Sequence, residues 1–166
     1  MEKIKLYSDI DGTMNISPFT FLQQLPSTSN LEEIKRSSKF IDMLINAPVS
    51  KFFNEIFKEL YVIAIEVIYH SGRNLYHKII TEKWLAKNGV FEKQKCKLKL
   101  FPFDNRQHYL DRKYNFLERE IRTNEKSEIP ADLRIFDDDQ TLVEWLQDYI
   151  EDIDIKFSKV ILVKNE

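Results

Sequence analysis

A chain of 166 residues has the length of one domain with room for a modest insertion. With 43% hydrophobic residues, including 12 Phe and 7 Tyr, it can fill a sizeable core, which excludes wholesale disorder. Its 25 Lys and Arg against 27 Asp and Glu, a formal net charge of −2, argue against a surface built to coat nucleic acid. Cys96 is the one cysteine, no apolar run approaches the ~20 residues of a bilayer span, and Met1-Glu2-Lys3 lacks a signal-peptide core; the expectation is a cytoplasmic protein without disulfide or membrane segment.

Along the chain, residues 3–8 read as a first strand. Residues 14–46 are polar, carry Pro18, Pro26 and the Ser27-Thr28-Ser29-Asn30 cluster, and then a helix over 31–45, so they read as a small cap-like insertion. The stripe Phe52, Phe53, Ile56, Phe57 and Leu60 predicts a helix over 49–60. Residues 61–69 are almost continuously apolar and β-branched, the pattern of a central parallel strand buried on both faces. A helix over 74–88 carries Ile79, Ile80, Trp84 and Leu85. A strand over 97–101 follows, its Lys93, Lys95, Lys97, Lys99 stripe reading as the solvent face of an edge strand. A helix over 111–122, a strand over 133–136, a helix over 140–150 and a strand over 159–163 complete the set. Strands alternating with helices of this length predict an α/β fold, a Rossmann-like parallel sheet of about five strands with helices on both faces. Such sheets bind ligands at the carboxyl ends of their strands.

The residue types at those ends carry the chemistry. The first strand ends in Asp9-Ile10-Asp11-Gly12-Thr13 and the second in Ser71-Gly72-Arg73; Lys113 lies in the helix after the third, and the fourth ends in Asp137-Asp138-Asp139. The set suits phosphoryl transfer through an aspartyl-phosphate. Asp9 is the expected nucleophile and Asp11 the group that protonates the leaving oxygen and then activates water. A carboxylate approaching a phosphate needs cations, and Mg²⁺ prefers such oxygen ligands: Asp9 and Asp11, completed by Asp137 and Asp138. Ser71, Lys113 and the amides near Gly12 and Gly72 are expected to hold phosphate oxygens. Asp139 doubles as a helix cap. His70, His77 and His108 form no zinc spacing, and Cys96 reads as structural.

These motifs resemble those of the haloacid dehalogenase (HAD) superfamily. Its D-x-D-G-T signature matches Asp9–Thr13, its strand-ending Ser or Thr matches Ser71, its helix lysine matches Lys113 with Arg112 adjacent, and its paired acids match Asp137-Asp138. Ser71-Gly72-Arg73, Thr81-Glu82-Lys83-Trp84-Leu85 and Asp137–Val143 are most similar to the small-capped acid-phosphatase branch, which includes polynucleotide 3′-phosphatase domains. The resemblance implies a Mg²⁺-dependent phosphomonoesterase, with Gly12, Thr13, Ser71, Gly72, Arg73 and Lys113 around the phosphate. It implies a phosphorylated small molecule, a nucleotide or a nucleic-acid end as substrate. A binding or effector protein that retains the fold without turnover is the alternative. No kinase P-loop is present.

Overall fold

The computed structural model describes residues 2–103 and 105–165. Five strands, β1 (Ile4–Asp9), β2 (Glu66–Ser71), β3 (Cys96–Leu100), β4 (Asp132–Asp137) and β5 (Ser158–Leu162), form one parallel sheet in the order β3-β2-β1-β4-β5. The helices are α1 (Leu31–Arg36), α2 (Ser38–Ile45), α3 (Lys58–Ile63), α4 (Lys78–Lys87), α5 (Arg106–Glu125) and α6 (Gln140–Asp152). β1 pairs with β2 on one side and β4 on the other, so the chain leaves it in opposite directions and opens a crevice at its carboxyl end.

Alternation along β1 divides the core. Leu6, with Val67 and Tyr69 of β2, packs against Phe53, Phe57, Trp84 and Leu85. Tyr7, with Ile68, Leu133 and Ile135, packs against Leu117 and Ile121 of α5 and Leu142 and Leu146 of α6. The expected solvent stripe holds on β3, an edge strand whose Lys97 and Lys99 face water while Cys96 is buried.

Three boundaries depart from expectation. Residues 61–63 belong to the preceding helix rather than to a strand: Phe53, Phe57 and Tyr61 continue an i, i+4 stripe, and the Ala64 amide still donates to the Leu60 carbonyl at 2.9 Å. Val62, Ile63 and Ile65 are therefore exposed, and local β-branched composition loses to tertiary packing. That helix contains a π-helical turn at Phe53–Phe57. The expected helix over 31–45 is two helices, broken where Ser37 turns extended and caps α2 with its hydroxyl. Helix α5 starts at Arg106, ahead of the expected 111, because the Asn105 side chain caps it by accepting from the His108 amide at 2.9 Å.

Residues 14–46 lie against α4 and the turn before it. The Trp84 indole donates to the Ala47 carbonyl at 2.9 Å, His77 Nε2 lies 2.8 Å from the Lys35 carbonyl, and the Phe19 and Phe40 rings meet edge-on at 5.2 Å. Trp84 is fully buried, so Trp84→Ala opens a cavity under this junction. A loss of about 3–5 kcal/mol is expected, read as a lower denaturation midpoint at an unchanged slope.

Candidate active site

Asp9 closes β1 on the side facing α5, in register with His70 of β2. Above it, the Lys113 ammonium lies 2.9 Å from Asp9 Oδ1 and 2.7 Å from Asp137 Oδ2, and donates to the Tyr109 hydroxyl at 2.9 Å. Lys113 is wholly buried. Burial alone would lower its pKa, but the two carboxylates outweigh it and hold the ammonium well above its ordinary value. Arg112 instead donates to the Pro102 carbonyl, so of the two neighbouring cations it is Lys113 that meets the carboxylates. The Tyr109 ring lies on Gly72, where a Cβ would come within 2.9 Å of it, which explains a glycine whose backbone conformation does not demand one.

The other Asp9 oxygen meets a second acid. Thr13 Oγ1 lies 3.1 Å from Asp9 Oδ2 and 3.1 Å from Asp138 Oδ1. A hydroxyl has one proton to donate, so with both carboxyls ionised one contact would lack it. Gly12 has φ +83°, and a Cβ there would fall 2.3 Å from Asp138 Oδ2; the glycine allows both the turn and the approach of Asp138. Burial pushes Asp9 up to about 8, with Lys113 opposing the rise and Asp138 adding to it. Burial also raises Asp138, and lifts Asp137 to about 7 against the pull of Lys113. Asp139 caps α6 by accepting from the Leu142 amide at 3.2 Å.

Asp11 stands apart. The Arg73 guanidinium grips it with two bonds, Nε to Oδ2 and Nη2 to Oδ1, both 2.8 Å. Asn15 donates to its Oδ1 at 3.0 Å. Burial would raise Asp11, but Arg73, helped by Asn15, holds the carboxyl below its ordinary value. Arg73, expected at the phosphate, is buried with its fork turned to this carboxylate. Ser71 is buried too, its hydroxyl accepting from the Arg73 amide at 3.2 Å.

Among the described residues, Asp9, His70 and Asp137 form a group whose ligand atoms lie within 4.8 Å of one another. The Lys113 ammonium already contacts both of these carboxylates. His70 is fully buried, kept neutral by burial and by Lys113, with Nδ1 3.7 Å from Asp137 Oδ2 and neither ring nitrogen hydrogen-bonded. The crowded oxygens of Asp9 and Asp138, both with raised pKa, are by contrast an all-oxygen pair with the chemistry of a hard divalent cation's ligands. Asp9, Asp11, Gly72, Arg73, Asp137 and Asp138 open into a cavity of about 610 Å³, whose outer wall comes from Phe19, Leu22, Leu31 and Lys35 of the insertion and from Phe103 and Arg106.

Sequence reasoning missed Tyr109, Asn15 and Asn165, and quoted Thr81 in a motif without its role, which is to accept from Arg73 Nη1 at 2.9 Å. Tyr109 is i−4 to Lys113, a spacing visible once α5 is started at Arg106. Asn15 follows Asp11 by the same interval inside a turn, where its Oδ1 accepts from the Gly12 amide at 3.1 Å. Asn165 donates to the Gly12 and Thr13 carbonyls at 2.8 and 2.9 Å, a contact 152–153 residues away in sequence that no local signal carries.

No protein-family model matches the chain, and no curated protein does. Among solved structures, it superposes on a chain of the Pnkp1/Rnl/Hen1 RNA repair complex with TM-score 0.55 at 16% identity, over 98% of this chain and 42% of that one. It superposes on the HAD domain of the effector protein Lem4 from Legionella pneumophila with TM-score 0.56 at 14% identity, over 99% of this chain and 87% of that one. The chain therefore spans less than half of the RNA-repair chain and most of the effector domain. Its fold is HAD-like.

The buried charges make a stability prediction. Asp9 and Asp137 are raised to about 8 and about 7, so their neutral forms support the fold at low pH and that contribution is lost as pH rises through those values. Lys113→Met removes the cation that limits this loss. The variant is expected to be less stable than the wild type by about 3–5 kcal/mol where the carboxylates are ionised, with the gap opening as pH rises through about 7 and about 8. A gap independent of pH would contradict the pairing.

Proposed function

We propose that the chain is a phosphomonoester hydrolase that works through a covalent phosphoryl group on Asp9. The observation that carries the reading is the two-sided environment of Asp9: Lys113 on one oxygen, and Thr13 and Asp138 on the other, at the floor of a cavity large enough for a nucleotide-sized ester.

Asp9 attacks phosphorus in line, the P–O bond to the leaving group breaks, and the departing oxygen takes a proton from Asp11. Water then attacks the acyl phosphate, giving its proton to Asp11 and releasing inorganic phosphate and free Asp9. Arg73 favours ionised Asp11, which suits it best as the base of the second step. In the first step its small protonated fraction is a strong acid. Lys113 balances charge on the Asp9 oxygen as the phosphoryl group arrives, while Ser71, Thr13 and the backbone amide at Gly72 would bound the place of the phosphate oxygens, the Gly12 amide being held by Asn15. Asp9 and Asp138, with Asp11 and Asp137 beside them, would hold Mg²⁺. When bound, that ion supplies charge neutralisation for the carboxylate and the phosphate.

The insertion 14–46 serves as a cap, since Phe19, Leu22 and Leu31 form the outer wall where a leaving group lies. A nucleotide or a 3′-phosphorylated nucleic-acid end is the substrate class best supported, by the aromatic wall of Phe19, Phe103 and Tyr109 and by the likeness to a chain of an RNA repair complex.

The test is phosphate release with Mg²⁺ from an aryl phosphate, a nucleotide panel and a 3′-phosphorylated oligonucleotide. Activity that falls by about 10³-fold or more in Asp9→Asn, and is lost with EDTA, is the expected result. Because Asp9 must be ionised to attack and is raised to about 8, activity is expected to climb with pH toward that value, the limb moving to lower pH as Mg²⁺ increases. No release from any of the three, by folded protein, would favour the binding or effector alternative.

A further inference from the structure

Arg73 is built into the protein more deeply than a substrate ligand needs to be. Its side chain is fully buried, and the Nε–Nη2 edge, the one that matches a carboxylate or phosphate bidentately, is spent on Asp11 at 2.8 and 2.8 Å. Nη1 donates to Thr81 Oγ1 at 2.9 Å, and the same hydroxyl donates onward to the His77 carbonyl at 2.7 Å. Thr81 thus accepts from one group and donates to the next, so its one proton and its lone pairs suffice. The Phe19 ring lies 5.8 Å from the guanidinium carbon and is itself braced against Phe40 and His77. The fork is fixed from α4, from the turn before it and from the insertion before it reaches Asp11.

We propose that Arg73 is a positioning residue for Asp11, oriented by Thr81, and that it does not bind the transferring phosphate. The proposal rests on the reading of Asp11 as the proton-carrying group. Asp11 lies in the turn after β1, where its carboxylate has other rotamers available; two parallel bonds to a rigid plane and the Asn15 amide leave it one. Displacement of a reacting group by about 1 Å reduces turnover by about 10²-fold, so the orientation matters at the chemical step while substrate affinity is left alone. Lysine cannot replace the fork, having a point charge in place of a plane.

The experiment compares wild type, Arg73→Lys, Thr81→Val, Asp11→Asn and the Asp11→Asn/Arg73→Lys double variant. It measures kcat and KM on p-nitrophenyl phosphate with Mg²⁺, and affinity for inorganic phosphate by calorimetry. Arg73→Lys is expected to lower kcat by about 10- to 100-fold with KM and phosphate affinity within about threefold of wild type. Thr81→Val should move kcat in the same direction by less, and the double variant should be no slower than Asp11→Asn alone. A rise in KM and a matching loss of phosphate affinity in Arg73→Lys, or additive losses in the double variant, would overturn the proposal and make Arg73 a phosphate ligand. Should Arg73→Lys fail to fold, Thr81→Val decides by the same kcat-against-KM split. A wild type that neither turns over nor binds phosphate would sink the hydrolase reading, and this proposal with it; an active wild type with the wrong split sinks this proposal alone.

Discussion

The Lys113 ammonium, buried between Asp9 and Asp137 at 2.9 and 2.7 Å, is the interaction on which the rest of the site depends. Three acids meet at the ends of β1 and β4 because those strands are neighbours in a parallel sheet. Without an internal cation their mutual repulsion and desolvation would disfavour the crossing geometry that brings them together. One lysine cannot neutralise all three. Asp9 and Asp137 stay raised, to about 8 and about 7, and Asp138 is raised with them, so the folded protein carries a deficit of positive charge at this one place. In the proposed hydrolysis a divalent cation would make up that deficit.

The two aspartates of the D-x-D-G-T turn have opposite fates, decided by their cations. Lys113 is shared between Asp9 and Asp137, so Asp9 keeps a raised pKa and an oxygen directed at Asp138. Arg73 turns its Nε–Nη2 edge to Asp11, whose pKa is held down. Two carboxylates two residues apart are thereby shifted in opposite directions in one cavity, and the proposed reaction needs further positive charge at Asp9, beyond Lys113, to ionise it for attack. The glycines serve the same end by omission, Gly12 leaving room for Asp138 and Gly72 for the Tyr109 ring that steadies Lys113.

Much of this was legible in the sequence, for stated reasons. Parallel strands advertise themselves as apolar runs and their ends as breaks in those runs, so the residue types at the sheet edge followed once β1, β2 and β4 were placed, while the order β3-β2-β1-β4-β5 did not. Lys113 was legible as a residue; its preference over Arg112 was not, because helical phase fixes which of two adjacent residues points inward, and the helix start was misplaced by the Asn105 cap. Residues 61–63 were misread because β-branched residues at a helix end look like a strand until the i, i+4 partners Phe57 and Tyr61 are seen to share a core. The Arg73–Asp11 and Asn165–Gly12 contacts join points far apart in the chain, and no local pattern encodes a partner at that distance.

The most direct test of the account is to trap the phosphoryl group on Asp9. Asp11→Asn protein, in which the second step lacks its base, would be mixed with a phosphomonoester and Mg²⁺, quenched in acid and examined by peptide mass spectrometry. The account predicts one phosphoryl group on the peptide containing Asp9, absent from the Asp9→Asn/Asp11→Asn protein treated alike. Turnover by the wild type with no phosphoryl group on that peptide, or with one on a different residue, would contradict it.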